Sequence, residues 1–340
     1  MGRFLTGRAL GGLVSILGAS IVSFIFLRAL PANPARLILG PLASEEAVRE
    51  LQRQLGLDDP LPVQYWHYIT QFLQGDWGFS YTAGQPVREQ IGARLPASLE
   101  LGIWAFLFAF VFAVLLALLT TYRRRPVIDG ITKTTAFIGL GTPPFWLALV
   151  LLVLLTSWLH ILPGPEGRVS PNAALPPKYT GMITVDALIT GNFAIFWDAA
   201  KHILLPAVCL GLSGFAFLVR LLRANLAEVA REPYLLVARS RGLSRWRTYV
   251  RHALPNAFLP TLTASGILLA QLVAGSVLVE KVFNWPGVGA LVVDSILRQD
   301  YSVVQTFILL SACAYVVVNL AVDVLYGVLD PRTRHQRGHA

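Results

Sequence analysis

Three groups of residues in this 340-residue chain have types and spacings that could do chemistry. The first is Gly211-Leu212-Ser213-Gly214, a serine among small neighbours inside an apolar run, where an intramembrane nucleophile could act. Such a serine needs a histidine base within about 3 Å. The six histidines (His67, His160, His202, His252, His335, His339) fall in loops, tails or helix ends, so close helix packing explains these glycines better. The second group is Asn319 and Asp323, which share one helical face at i, i+4 in the last apolar run. An acid left unpaired in lipid costs roughly 2.5 to 3.5 kcal/mol. Asp323 is therefore expected to pair with a loop arginine such as Arg223, with a place on a substrate pathway as the other reading. The third group is the stretch from Arg220 to Pro260, which holds eight arginines and two acids between long apolar runs.

Some chemistry is not encoded. Binding ATP through a P-loop requires G-x-x-x-x-G-K-[ST]. The four lysines are Lys133, Lys178, Lys201 and Lys281, and none follows a glycine. Cys209 and Cys313 both sit in apolar runs, which suits packing residues and indicates neither a disulfide framework nor a zinc site.

The arginine-rich stretch must be positioned by short helices. Pro233 suits a first helical position, Glu232 the positive end of the dipole, and Gly242 a left-handed cap after Arg241. Ser244 then starts a run expected to end at Leu254-Pro255. Tyr234, Leu235 and Ala238 recur at helical spacing, and Ala238 and Ser240 are small enough to let another surface approach. This pattern describes a docking helix with a basic flank. It also describes a membrane-surface helix whose arginines meet anionic lipid, and composition leaves both open.

The rest of the chain belongs in a bilayer. The whole chain is 55% apolar and 14% charged, where a soluble domain carries about 25% charged residues. Six apolar runs approach the roughly 20 residues needed to span: Ala9 to Leu27, Pro96 to Thr121, Ile131 to Leu159, His202 to Leu222, Leu259 to Val279 and Val303 to Val328. If the N-terminus is cytoplasmic, the three outer segments hold eleven basic and thirteen acidic residues, and the remainder seventeen and six. The net charge of +9 thus follows the positive-inside rule, placing both termini inside, and it points to the lipid bilayer and not to nucleic acid. The first run is expected to stay as a helix, since no small-residue cleavage site follows it.

Between the runs lie ordered loops. Ser44 can cap a helix to Leu55 with Gly56 after it, and Pro62 can open another to about Phe72. Arg123-Arg124-Arg125-Pro126 is a basic turn. Gly139-Leu140-Gly141-Thr142-Pro143-Pro144 must break or kink the third run, because each proline lacks a donor and crowds the turn before it. Irregular backbone at that depth has to be buried in protein or line a watery cavity, so Pro143 and Pro144 mark either a pathway or a packing kink. A short helix is expected near Val185 to Thr190, and another from Ala290 to Leu297 after a turn whose Trp285 would sit at headgroup level.

Tyr234-Leu-Leu-Val-Ala-Arg-Ser-Arg-Gly242 with Leu254-Pro255 resembles the EAA loop of ABC importer permeases. Ala238 and Gly242 match the second alanine and the glycine of that loop, and Leu254-Pro255 the closing pair. Leu236 stands at the name-giving glutamate, Val237 at the first alanine and His252 at an isoleucine. The peptide and nickel branch often lacks the glutamate, and Arg251-His252-Ala253-Leu254 with Asn256 is closer to that branch. Gly75-Asp76-Trp77-Gly78-Phe79-Ser80, Gly191-Asn192-Phe193 and Glu280 to Gly289 are also similar to it, so the likeness spans about residues 57–331.

The resemblance implies an all-helical membrane protein of six spans, both termini inside, in the bacterial inner membrane. Residues 1–95 would form the first span and an outer helical region, 96–330 a five-helix permease core with a coupling loop at 223–258, and 331–340 a tail. Tyr234, Ala238, Arg239, Arg241, Gly242, Leu254 and Pro255 would meet the ATPase. The partners implied are a homologous second permease, two ABC ATPase domains carrying the ATP and magnesium, and an extracytoplasmic solute-binding protein. The chain itself would hold no cofactor or metal. Di- or oligopeptides are the expected cargo, with nickel or another small solute as the alternative. From another class, Gly211 to Gly214 resembles the rhomboid intramembrane serine protease pattern; an ion-driven secondary transporter would lead one to expect repeated halves and several intramembrane acids.

Overall fold

A computed structural model describes residues 2–29, 34–40, 42–123, 126–273 and 277–329. The expected tail at 331–340, and Arg124 and Arg125 of the basic turn, lie outside them. The described residues are all-helical apart from one small hairpin. In chain order the helices are α1 (Gly2–Ala29), α2 (Pro34–Leu39), α3 (Glu45–Gln54), α4 (Leu61–Leu73), α5 (Val87–Arg123), α6 (Pro126–Gly141), α7 (Pro144–Leu152), α8 (Ile183–Ile189), α9 (Phe193–Val229), α10 (Pro233–Ser240), α11 (Arg245–Thr248), α12 (Leu254–Val273), α13 (Val277–Val282), α14 (Val288–Leu297) and α15 (Tyr301–Leu329). The hairpin pairs β1 (Phe79–Ser80) with β2 (Gln85–Pro86).

Among the described residues, five helical stretches are long and apolar enough to cross a membrane: Thr6–Ala29, Val87–Tyr122, Phe193–Val229, Arg245–Val273 and Tyr301–Val324. The third apolar run does not form a gently kinked span. It breaks into α6 and α7 at 114°. Pro143, which precedes another proline, is held extended at φ −60°, ψ 134°, and Pro144 then opens α7.

Two helices form the centre. Ala97, Leu101, Ala105, Ala109, Ala113 and Ala117 recur every four residues on α5, and all are buried. That smooth stripe brings α9 close: a Cβ on Gly211 would lie 2.5 Å from the Ala105 carbonyl oxygen, and one on Gly139 of α6 2.7 Å from that of Leu212. Lipid tails are as apolar as leucine, so dense contact of this kind, and not expulsion of water, holds helices together in a bilayer. Gly214 is likewise packed on α12, where a Cβ added to it would lie 2.6 Å from the Leu268 side chain. The glycines around Ser213 are thereby accounted for by packing.

The sequence marked the short helices well. Ser44 caps α3 by accepting from the Ala47 N–H at 3.2 Å, and Gly56 adopts φ +64° where the chain leaves that helix. α4 carries Pro62 in its first turn and continues an aromatic run of Phe24, Tyr65, Tyr68, Phe72 and Trp77, with ring centroids 5.5 to 6.5 Å apart. That run ties the outer segment to the far end of α1.

Three expectations need correction. The run starting at Ser244 does not end at Leu254-Pro255 but continues unbroken to Val273. A π turn over Tyr249–Ala253, in which the Leu254 N–H reaches back to the Tyr249 carbonyl, widens the helix just before Pro255 and makes room for its ring. Trp285 is not a surface residue turned toward headgroups: it is 2% exposed, and its Nε1–H donates to the Ala97 carbonyl at 2.9 Å. The turn carrying it folds back onto the start of α5. Asp323 pairs with Arg8, Nε to Oδ2 3.3 Å, and not with Arg223. Helices α1 and α15 run antiparallel, with Gly12 against Val316, while Arg223 on α9 faces α6 and donates to Asp129.

Candidate functional site

The loop from α9 to α12 gathers most of the residues marked by the sequence. α10 starts at Pro233 as expected and ends in a Schellman arrangement: the Leu243 N–H reaches the Ala238 carbonyl at 3.4 Å across Gly242, whose φ is +80°. Nothing lies within 4 Å of a Cβ placed on Gly242, so the glycine is required for its backbone angle and not for room. Ser244 then caps α11 by accepting from the Arg247 N–H at 3.4 Å.

The two faces of α10 differ. Leu235 and Ala238, at 1% and 9% exposure, point into the chain, where Leu235 joins the same core cluster as Tyr249, Ala253 and Ala257. Leu236 and Val237, at 59% and 51%, point away with Tyr234. Ala238 therefore anchors the helix and does not form its outer surface. Tyr234 is fixed from behind, its hydroxyl accepting from the Asn256 side-chain amide at 2.9 Å. Arg241 is exposed, Leu254 packs against the core and Pro255 is exposed; the Arg239 side chain lies outside the described ones. The result is a short rigid helix with an apolar outer face, tied through Leu235 and Tyr234 to α12.

Charges near this end are organised around Asp129. Its carboxylate receives Arg223 from α9 and the Lys133 Nζ at 2.6 Å from one turn along α6. The link joins the last turns of α9, just before α10, to the first half of the broken span. Tyr122, at the end of α5, packs edge-on against Trp246 with centroids 5.4 Å apart. Asp323, with Asn319 half-buried one turn before it, pairs with Arg8 on α1, whereas Pro143 and Pro144 form the apex of the break between α6 and α7.

The opposite end carries a polar network for which the sequence gave no expectation. Glu100, 2% exposed, accepts from the Thr184 N–H and hydroxyl, both at 2.6 Å, and from the Arg168 guanidinium. Arg168 also donates to the Gly181 carbonyl at 2.8 Å and lies 6.0 Å from the Trp285 ring centroid. Glu280 is buried too, with Oε1 on the Ser98 hydroxyl at 2.7 Å and Oε2 on the Ala290 N–H at 2.9 Å. Burial pushes its carboxyl above the ordinary range, against the pull of those donors and of the Arg94 charge. Gly287 and Gly289 leave the space this carboxyl occupies, since a Cβ on Gly287 would overlap Oε2 and one on Gly289 would fall 2.9 Å from it. A signal was available: Glu100 is an acid inside the second apolar run, and such an acid demands a partner.

Comparison with known proteins identifies the scaffold. Residues 109–335 match the family of binding-protein-dependent transport system inner membrane components, and residues 1–102 match the N-terminal model of such membrane components. The chain belongs to this family of inner-membrane transport permeases. Among curated relatives of the permease, the probable D,D-dipeptide transport system permease protein of Escherichia coli K12 is 39% identical over 325 residues, covering 96% of this chain and 95% of the relative. The dipeptide transport system permease protein of the same strain is 37% identical over 326 residues, covering 95% and 96%. The di/tripeptide transport system permease protein of Pseudomonas aeruginosa UCBPP-PA14 is 38% identical over 332 residues, covering 97% and 98%. The permease is thus a multi-pass protein of the bacterial inner membrane.

Proposed function

We propose that this chain is one of two permease subunits of an ABC importer for di- or oligopeptides, and that ATP is hydrolysed on separate subunits. The observation that carries the reading is α10, a short helix at the basic end of the bundle with Tyr234, Leu236 and Val237 turned outward and a core-anchored inner face. A surface of that kind suits insertion into a cleft of an ATPase domain. The names of the near-full-length relatives support peptide as the cargo. In this scheme a second, homologous permease completes the pathway, two ATPase domains hold the ATP and magnesium, and a solute-binding protein delivers the peptide at the far end.

Alternating access follows from how α10 is held. When the ATPases close on ATP, α10 moves with them. Leu235 and the Tyr234 to Asn256 bond carry the motion to α12, while Arg223 carries it through Asp129 to α6. Because packed helices switch between discrete arrangements and do not stretch, a shift at α10 is expected to reorient the bundle.

The test is reconstitution of the four-subunit complex with its binding protein in liposomes. Uptake of a radiolabelled dipeptide should require ATP, and Gly242→Val should leave insertion intact while uptake falls and ATPase association weakens. Undiminished uptake by that variant would count against the coupling role of α10.

A further inference from the structure

At the end of the bundle opposite α10, the loop of residues 166–175 and the turn from α13 to α14 enclose a cavity of about 570 Å³ together with Arg94 of α5. A volume in the range of roughly 300 to 1,000 Å³ is that of a small-molecule site. Its lining carries charges of both signs: Arg94, Arg168 and Lys281 against Glu166, Glu280 and Asp294. Most of these are already committed. Arg168 is paired with Glu100, Lys281 with Asp294 at 2.5 Å, and both oxygens of Glu280 have donors.

Two are not. Among the described residues, neither the half-buried Arg94 guanidinium nor the Glu166 carboxylate has an ion-pair partner. A guanidinium offers a planar fork of donors matched to a carboxylate. A free carboxylate offers the complementary site for an ammonium group. The side chains of Val169, Leu175 and Pro286 in the same lining supply apolar surface. We propose that this cavity receives the peptide on its way through the permease, Arg94 taking the terminal carboxylate and Glu166 the terminal ammonium. The assignment rests on the peptide-import reading and adds to it a place of contact on this subunit.

The proposal is tested on the intact complex with its binding protein, using a dipeptide that carries a diazirine side chain, followed by mass-spectrometric mapping of the photolabel. Label is expected on residues 94–98, 166–175 or 280–294, and unlabelled dipeptide should compete it away. Arg94→Gln should lower that label roughly ten- to hundredfold, the loss of a charge-assisted contact, and Arg94→Lys should recover part of it. Glu166→Gln, on an exposed loop, should weaken labelling by the free peptide but not by its N-acetyl form. Label confined to other segments while ATP-driven dipeptide uptake proceeds would overturn the cavity assignment and leave peptide import standing. An assembled, ATP-hydrolysing complex that takes up no dipeptide would instead sink the import reading, and the cavity assignment with it.

Discussion

At the level of single residues, the backbone angle of Gly242 and the buried charge of Glu280 carry the sharpest consequences. Left-handed backbone costs a residue with a Cβ roughly 1 to 2 kcal/mol, with asparagine penalised less than β-branched residues. Since the space around Gly242 is open, Gly242→Asn should keep most transport activity, whereas Gly242→Val should lose most of it. Comparing uptake rates of the two variants separates backbone strain from crowding. Glu280 makes a pH prediction. Its carboxyl is raised in the folded state, so its contribution is fully present below the ordinary value of 4.5 and is lost as pH rises through the folded value. Melting temperature of the purified complex should therefore fall as pH increases above 4.5, and Glu280→Gln should flatten the fall. An equal slope in wild type and variant would assign the pH dependence to other groups.

At the level of elements, the α5 to α9 contact is the most constrained part of the fold. A Cβ on Gly211 would meet backbone and not a flexible side-chain end, so Gly211→Val must push the helices apart. Overpacking of this sort costs about 1 to 3 kcal/mol, and the variant should show a lowered melting temperature. Ser213→Ala, two positions further along α9, should leave both melting temperature and transport unchanged. These elements are largely legible in the sequence, because their signals are local: Ser44 and Gly56 bracket α3, Pro233 and Gly242 bracket α10, and the Pro143-Pro144 pair stops α6. The start of α12 is not legible for the same reason. Pro255 is a local stop signal, and the π turn that absorbs it depends on backbone register along the whole helix.

At the level of the whole molecule, what the sequence conceals is which distant charges meet. Asp323 needs a basic partner, and arginine abundance near Arg223 makes the wrong one attractive; only the packing of α1 along α15 selects Arg8. Trp285 is buried for a similar reason, since its turn closes over the start of α5, 188 positions away in the chain. The Arg8 to Asp323 pair also relates the first long helix to the last, because with Gly12 against Val316 it sets the start of α1 beside the later turns of α15. Charge reversal tests that arrangement. Arg8 is more than half exposed, so the pair itself is worth only about 1 kcal/mol or less, but a like-charge pair should repel by a similar amount. Arg8→Asp and Asp323→Arg should each lower the yield of assembled complex, and the double variant should restore it, because the swapped pair rebuilds the contact. If the double variant is no better than the worse single one, α1 does not lie along α15, and the antiparallel pairing of the two helices loses its support.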